Sequence, residues 1–118
     1  MNARTFLFFL FGVIFVTLLA WTSFAGSQQA VWDWQGLTRE PDRWWTIATL
    51  MDAYYGFITF YVWVCFKEQT HTARAIWFVA IMALGNMAMS VYVLIALFKL
   101  KPNEPVINVL LSTHRRRE

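Results

Sequence analysis

WWTIATLMDAYYGFITFYVWVCFKE, residues 44–68, decides how this chain is read. Its apolar part, residues 44–66, would rise about 34 Å as a helix, enough to cross a bilayer core of about 30 Å. A single acid, Asp52, stands inside the run. An ionisable group at that depth is costly unless it is paired or faces protein or water. Thr49, Asp52, Gly56, Thr59 and Trp63 recur at steps of three and four residues, so they share one helix face. Ala48 and Gly56 beside them are small enough to let another backbone approach in lipid.

The whole composition agrees. Hydrophobic residues make up 58% of the 118 residues and charged residues 14%, too few charges to give every element of a water-soluble domain a polar face. The charges fall almost entirely outside three long apolar runs. The expectation is therefore an all-α integral membrane protein in one membrane domain, residues 1–118. It has three transmembrane helices at about 6–25, 44–66 and 75–100, an interfacial connection at 26–43 and a C-terminal tail at 101–118.

The first run, residues 6–25, follows Arg4 and ends near a Ser23-Phe24-Ala25 sequence that resembles a signal cleavage site. It is longer than the usual signal core and is read as a retained span. Phe6, Phe8, Phe9, Phe11 and Phe15 crowd it, which suits contact with lipid or pigment. The connection carries Trp32 and Trp34, and Trp44 and Trp45 follow at the start of the second span. Indole rings favour the headgroup level, so these four are read as interfacial anchors, with Ala30 to Leu37 lying on the membrane surface as one or two helical turns. Pro41 suits the first turn of the next helix. Pro102 and Pro105 stop the third helix, and residues 106–111 form an apolar piece too short to span. Cys65 is the only cysteine, so the chain has no internal disulfide. It reads as a small buried residue rather than a palmitoylation site. Arg115 to Arg117 form a basic tail, read as solvated rather than as a nucleic-acid contact.

Three spans would put the two termini on opposite sides. Arg4 before the first span favours a cytoplasmic N-terminus, in a bacterial inner membrane. The total count of bases argues the reverse, because Lys99, Lys101 and the terminal arginines would then lie with Arg39 and Arg43.

A second polar stripe, Gly85, Asn86 and Ser90, with Tyr92 close by, marks the third run. With the second and third spans antiparallel, Asp52 falls level with Ser90 and near Tyr92, and Asn86 falls near Gly56. The expected seam is thus Thr49, Asp52, Gly56, Asn86, Ser90 and Tyr92, either as interhelical glue or as a proton or ion site. His71 and His114 both lie outside the spans, so no haem or metal is expected on the chain's own ligands. No HExxH, phosphate loop or ordered Ser-His-Asp set is present, and nothing argues for catalysis.

Two strings carry a resemblance. Ala48, Thr49, Leu50, Asp52, Tyr55, Phe57, Phe60, Trp63, Val64, Lys67 and Glu68 form one, and Ile76, Trp77, Phe78, Leu84, Gly85, Asn86, Ala88, Tyr92, Val93 and Leu94 the other. Over roughly residues 44–100 the chain resembles a family of small uncharacterised membrane proteins found in bacteria and plants. The resemblance implies a three-span fold, singles out Asp52 and Asn86, and brings no activity with it. Its size and aromatic faces suit an accessory or assembly subunit of a larger respiratory or photosynthetic membrane complex, with other membrane subunits and lipids as partners and no nucleic acid. The competing expectations are a small homo-oligomeric transporter using Asp52 and a quinone- or lipid-binding membrane protein.

Overall fold

The computed structural model describes residues 2–36, 38 and 42–111. Pro41, Arg39, Glu40, Leu37 and the terminal arginines lie outside these, and so do the expectations placed on Pro41 and on the basic tail. The described chain is all-α, with helices α1 (Ala3–Gln28), α2 (Asp42–Lys67), α3 (His71–Leu84) and α4 (Asn86–Phe98). Short 3-10 turns occupy Val31–Asp33 and Val106–Leu110.

α1 begins where the Asn2 side chain accepts the Thr5 N–H at 2.8 Å, satisfying one of the donors a helix start leaves open. It then runs for 26 apolar-rich residues, about 39 Å. Thr17, mid-helix, donates its hydroxyl to the Val13 carbonyl at 2.6 Å, which lets a polar side chain sit in an apolar helix. α1 and α2 are both long and apolar enough to cross a membrane.

The expected third span is corrected. Helix continues through most of residues 75–100 but breaks at Gly85, whose backbone has φ +57° and ψ −125°. Positive φ is open to glycine and strained for other residues. A Cβ at this position would also lie 2.7 Å from the Phe57 ring, so the close approach to α2 needs glycine a second time. α4 does not continue the line of α3 but folds back on it. The Trp77 and Tyr92 ring centroids are 4.8 Å apart, whereas an unbroken helix would separate residues 77 and 92 by about 22 Å. The result is a helical hairpin with one residue at its turn and arms of about 21 and 20 Å. Among the described residues two helices, not three, are long and apolar enough to span.

The turn also corrects the placement of the chain ends. Arg4 donates to the carbonyls of Lys101 at 2.9 Å, Leu100 at 2.8 Å and Leu97 at 3.1 Å. The start of α1, the end of α2 and the open end of the hairpin therefore share one end of the molecule, here termed basal. The segment after α4 returns to where α1 began, not to the opposite side.

The hairpin stands between the long helices, with α4 against α1 and α3 against α2. Its buried residues are the core. Ile81, Ala88 and Tyr92 pack with Val64 of α2. Val93, Leu97 and Leu100 pack against Leu7, Phe8 and Phe11 of α1. Phe60 and Trp63 of α2 touch both groups. Cys65 is half-buried. Trp32, Trp34, Trp44 and Trp45 are all exposed at the other, distal end, where the Arg43 guanidinium lies 4.6 Å from the centre of the Trp44 ring.

Candidate functional site

Polar side chains of the basal half converge where α2 passes into α3. The last turn of α2 supplies Trp63, Val64 and Lys67, and the Glu68 N–H closes that turn on the Val64 carbonyl at 2.9 Å. Thr70 then starts α3 by accepting the Ala73 N–H at 3.1 Å. Three residues separate the helices, so the charges of Lys67 and Glu68 are held near α4 instead of trailing into solvent.

Tyr92 of α4 is the centre of the arrangement. It is 4% exposed, and its hydroxyl donates to Glu68 Oε1 at 2.9 Å. Its ring meets Trp77 at 4.8 Å, Trp63 at 5.6 Å and Phe60 at 5.9 Å, each nearly edge to face. Arg74 donates to the Glu68 backbone carbonyl at 2.8 Å, and the Tyr61 hydroxyl donates to the Arg74 carbonyl at 3.0 Å. Those bonds fix the α2–α3 connection from both sides.

Lys67 draws in the final described segment. Its ammonium donates to the Val109 carbonyl and stands 4.9 Å from the Trp63 ring centre and 5.4 Å from that of Tyr92. Both distances suit a cation over an aromatic face. The Trp63 indole donates to the Leu110 carbonyl at 3.2 Å. Within the segment, Glu104 accepts the Lys101 N–H at 3.1 Å and the Asn108 amide at 3.0 Å. Between the α2–α3 connection, the last turns of α4 and Leu111 lies an open cavity of about 150 Å³, with Lys67, Glu68, Gln69, Thr70 and Lys99 on its polar side and Ile95 and Ala96 on its apolar side.

The expected seam residues lie in several places. Thr49, Asp52 and Gly56 are exposed on α2, and a Cβ at Gly56 would find nothing within 4 Å. Ser90 is buried in α4. Asn86 lines a shallow groove with Ile14, Thr17, Leu18 and Trp21 of α1. The sequence sets Asp52 level with Ser90 and near Tyr92, but the Tyr92 hydroxyl donates to Glu68, 16 residues further on and just past the end of α2. The expectation assumed a straight third helix, and the turn at Gly85 carries Tyr92 back towards the basal end. Tyr54, two residues from Asp52, is the side chain that reaches the hairpin there, donating to the Met82 carbonyl at 3.2 Å. Among the described residues no group of three His, Cys, Asp or Glu stands close enough to hold a metal ion.

Sequence reasoning passed over Lys67, Glu68, Lys99 and Arg4 as boundary charges. One signal was present: Trp63, Val64, Lys67, Glu68 and Tyr92 all belong to the strings that carry the family resemblance.

These features define an all-α chain with two helices fit to cross a membrane and a shorter apolar hairpin between them, closed at one end by an aromatic and charged cluster. The chain belongs to a family described as proteins of unknown function (DUF1475), which it matches over residues 2–117. The match thus takes in α1 and the tail as well as residues 44–100. No curated protein and no solved structure matches the chain.

Proposed function

We propose that this is an integral membrane protein that serves as an accessory or assembly subunit of a larger membrane complex, structural rather than catalytic. The observation that carries the reading is α1. None of its residues is fully buried, and Phe6, Phe9, Val13, Val16, Leu19, Trp21 and Phe24 are exposed along its length. A continuous apolar surface of that extent needs lipid or protein around it. α2 asks for protein in particular. Asp52 is exposed beside Thr49 and the unfilled notch at Gly56, and a carboxylate facing acyl chains is costly. A partner helix seated on this face would supply both the packing and the polar contact.

In this reading α1 and α2 cross the bilayer, and the α3–α4 hairpin enters from the basal side without crossing, since arms of about 20 Å fall short of a 30 Å core. The backbone at its turn is tolerated at depth because Phe57 covers it. This topology places Arg4, Lys67, Arg74, Lys99 and Lys101 on one side, against Glu68 and Glu104. The distal connection holds Arg39 and Arg43 against Asp33, Glu40 and Asp42. The bias of bases supports a cytoplasmic basal end, with the N-terminus, and the reading takes the membrane to be a bacterial inner membrane.

Mild extraction of the tagged full chain from its native membranes tests the subunit reading. A stoichiometric assembly with other membrane chains is the expected result. A pure homo-oligomer would overturn it in favour of a second reading, in which copies gathered around the exposed Asp52 conduct protons or ions.

A further inference from the structure

We propose that the basal cavity binds the phosphodiester of a membrane phospholipid, with Lys99 as its main cationic contact and Lys67 adding to the field. The inference rests on the membrane reading above and adds a ligand to it.

Four observations support it. The cavity opens at the ends of apolar helices, where headgroups would lie. Its polar wall combines two ammonium groups with donors from Gln69 and Thr70, and the Thr70 end of the 14-residue α3 brings the positive end of a helix dipole to the same place. Among the described lining residues two ammonium groups, Lys67 and Lys99, stand against the single carboxylate of Glu68, a balance that suits a singly charged phosphodiester. The fourth observation concerns the acyl chains. A volume of about 150 Å³ admits a phosphate and its ester oxygens but not a whole lipid. The tails must leave sideways, and Phe66 and Phe98, which adjoin the two lysines in sequence, are 79% and 80% exposed and open to acyl chains. A headgroup clamped by ammonium groups with its chains along phenyl rings fits that pairing.

The test uses the full chain purified in a phosphate-free maltoside detergent. Native mass spectrometry would follow binding of short-chain phosphatidylglycerol to the wild type, Lys99→Gln and Lys101→Gln. Lys101 is an exposed base at the same end but outside the cavity. One saturable site is expected, weakened roughly fivefold by Lys99→Gln and unchanged by Lys101→Gln. Equal losses in the two variants would mean diffuse attraction to a basic surface and would overturn the site, as would an absence of saturable binding. Competition by inorganic phosphate as strong as by the lipid would assign the cavity to a free anion and overturn the lipid. Lys99 is exposed, so the variant is expected to fold, and a melting curve checks this. Alkaline carbonate washing of membranes separates the two proposals. A chain that stays in the pellet yet binds no lipid loses only the headgroup site, whereas a chain that washes off loses the membrane reading itself.

Discussion

The two halves of this molecule are held by different means. In the basal half, Val64, Ile81, Ala88, Tyr92 and Leu97 are buried, and side-chain hydrogen bonds join residues far apart in the chain, such as Arg4 to Lys101 and Trp63 to Leu110. In the distal half, no described residue between 12 and 56 is buried, and the side-chain hydrogen bonds of the distal part of α1 stay within one helical turn, as from Thr17 to Val13 and from Ser27 to Phe24. The border is the turn at Gly85. Below it, the hairpin fills the space between α1 and α2. Above it, nothing in the described chain does so. The comparison shows which part of the chain packs on itself and which part turns its side chains outward.

Five substitutions should break or sharpen that contrast, and melting of the purified protein in detergent would measure each. The largest effect belongs to the border itself. Gly85→Val combines a positive φ with a Cβ at 2.7 Å from Phe57 and should cost about 3 kcal/mol or more. Next is Leu97→Ala, which empties a fully buried position and should cost about 2–5 kcal/mol. The same truncation at Leu19, in the distal half and exposed, should fall within about 0.5 kcal/mol. Equal losses at these two positions would erase the distinction drawn above. Tyr92→Phe keeps the ring contacts and removes the donor to Glu68; a loss of about 1.5–3 kcal/mol is expected for a bond to a charged acceptor, at the low end because Glu68 is only half-buried. The smallest effect is expected for Asp52→Asn. The residue is exposed, so the isolated chain should change by less than about 0.5 kcal/mol. Its consequence should appear in the native membrane, as reduced recovery of partner chains. A marked loss of stability in the isolated chain would show that Asp52 is held by this chain after all.

How far the sequence reveals this structure also divides at Gly85. The long helices were legible because length and apolarity alone decide them: residues 6–25 and 44–66 became Ala3–Gln28 and Asp42–Lys67. The hairpin was hidden. Residues 75–100 are apolar on both sides of the turn, and a fold-back without a polar loop leaves no gap in hydropathy. A sign was nonetheless present, since glycine followed by asparagine is a common way to end a helix. The sequence reading used Gly85 and Asn86 as parts of a polar stripe, which presumes that the helix continues. Tyr92 moved for the same reason: a depth estimate from a straight helix sets it beside Asp52, and one reversed turn sends it to Glu68. The Lys67–Glu68 pair could be seen but not weighed, because its role depends on Tyr92 and on Val109, which join it only in three dimensions.

The Arg4 clasp bears on the order in which the molecule can be made. Its acceptors lie 93 to 97 positions later in the chain. At synthesis rates of roughly 5–20 residues per second, α1 must wait on the order of 5–20 s for its anchor to emerge. α2 is made well before the α4 residues that bury Val64. Under the membrane reading, the nascent chain is thus first a pair of separate helices in lipid, and the last element translated locks the first. A release before residue 97 is translated should leave α1 and α2 inserted yet unclasped, a state open to quality-control proteases or to capture by another subunit.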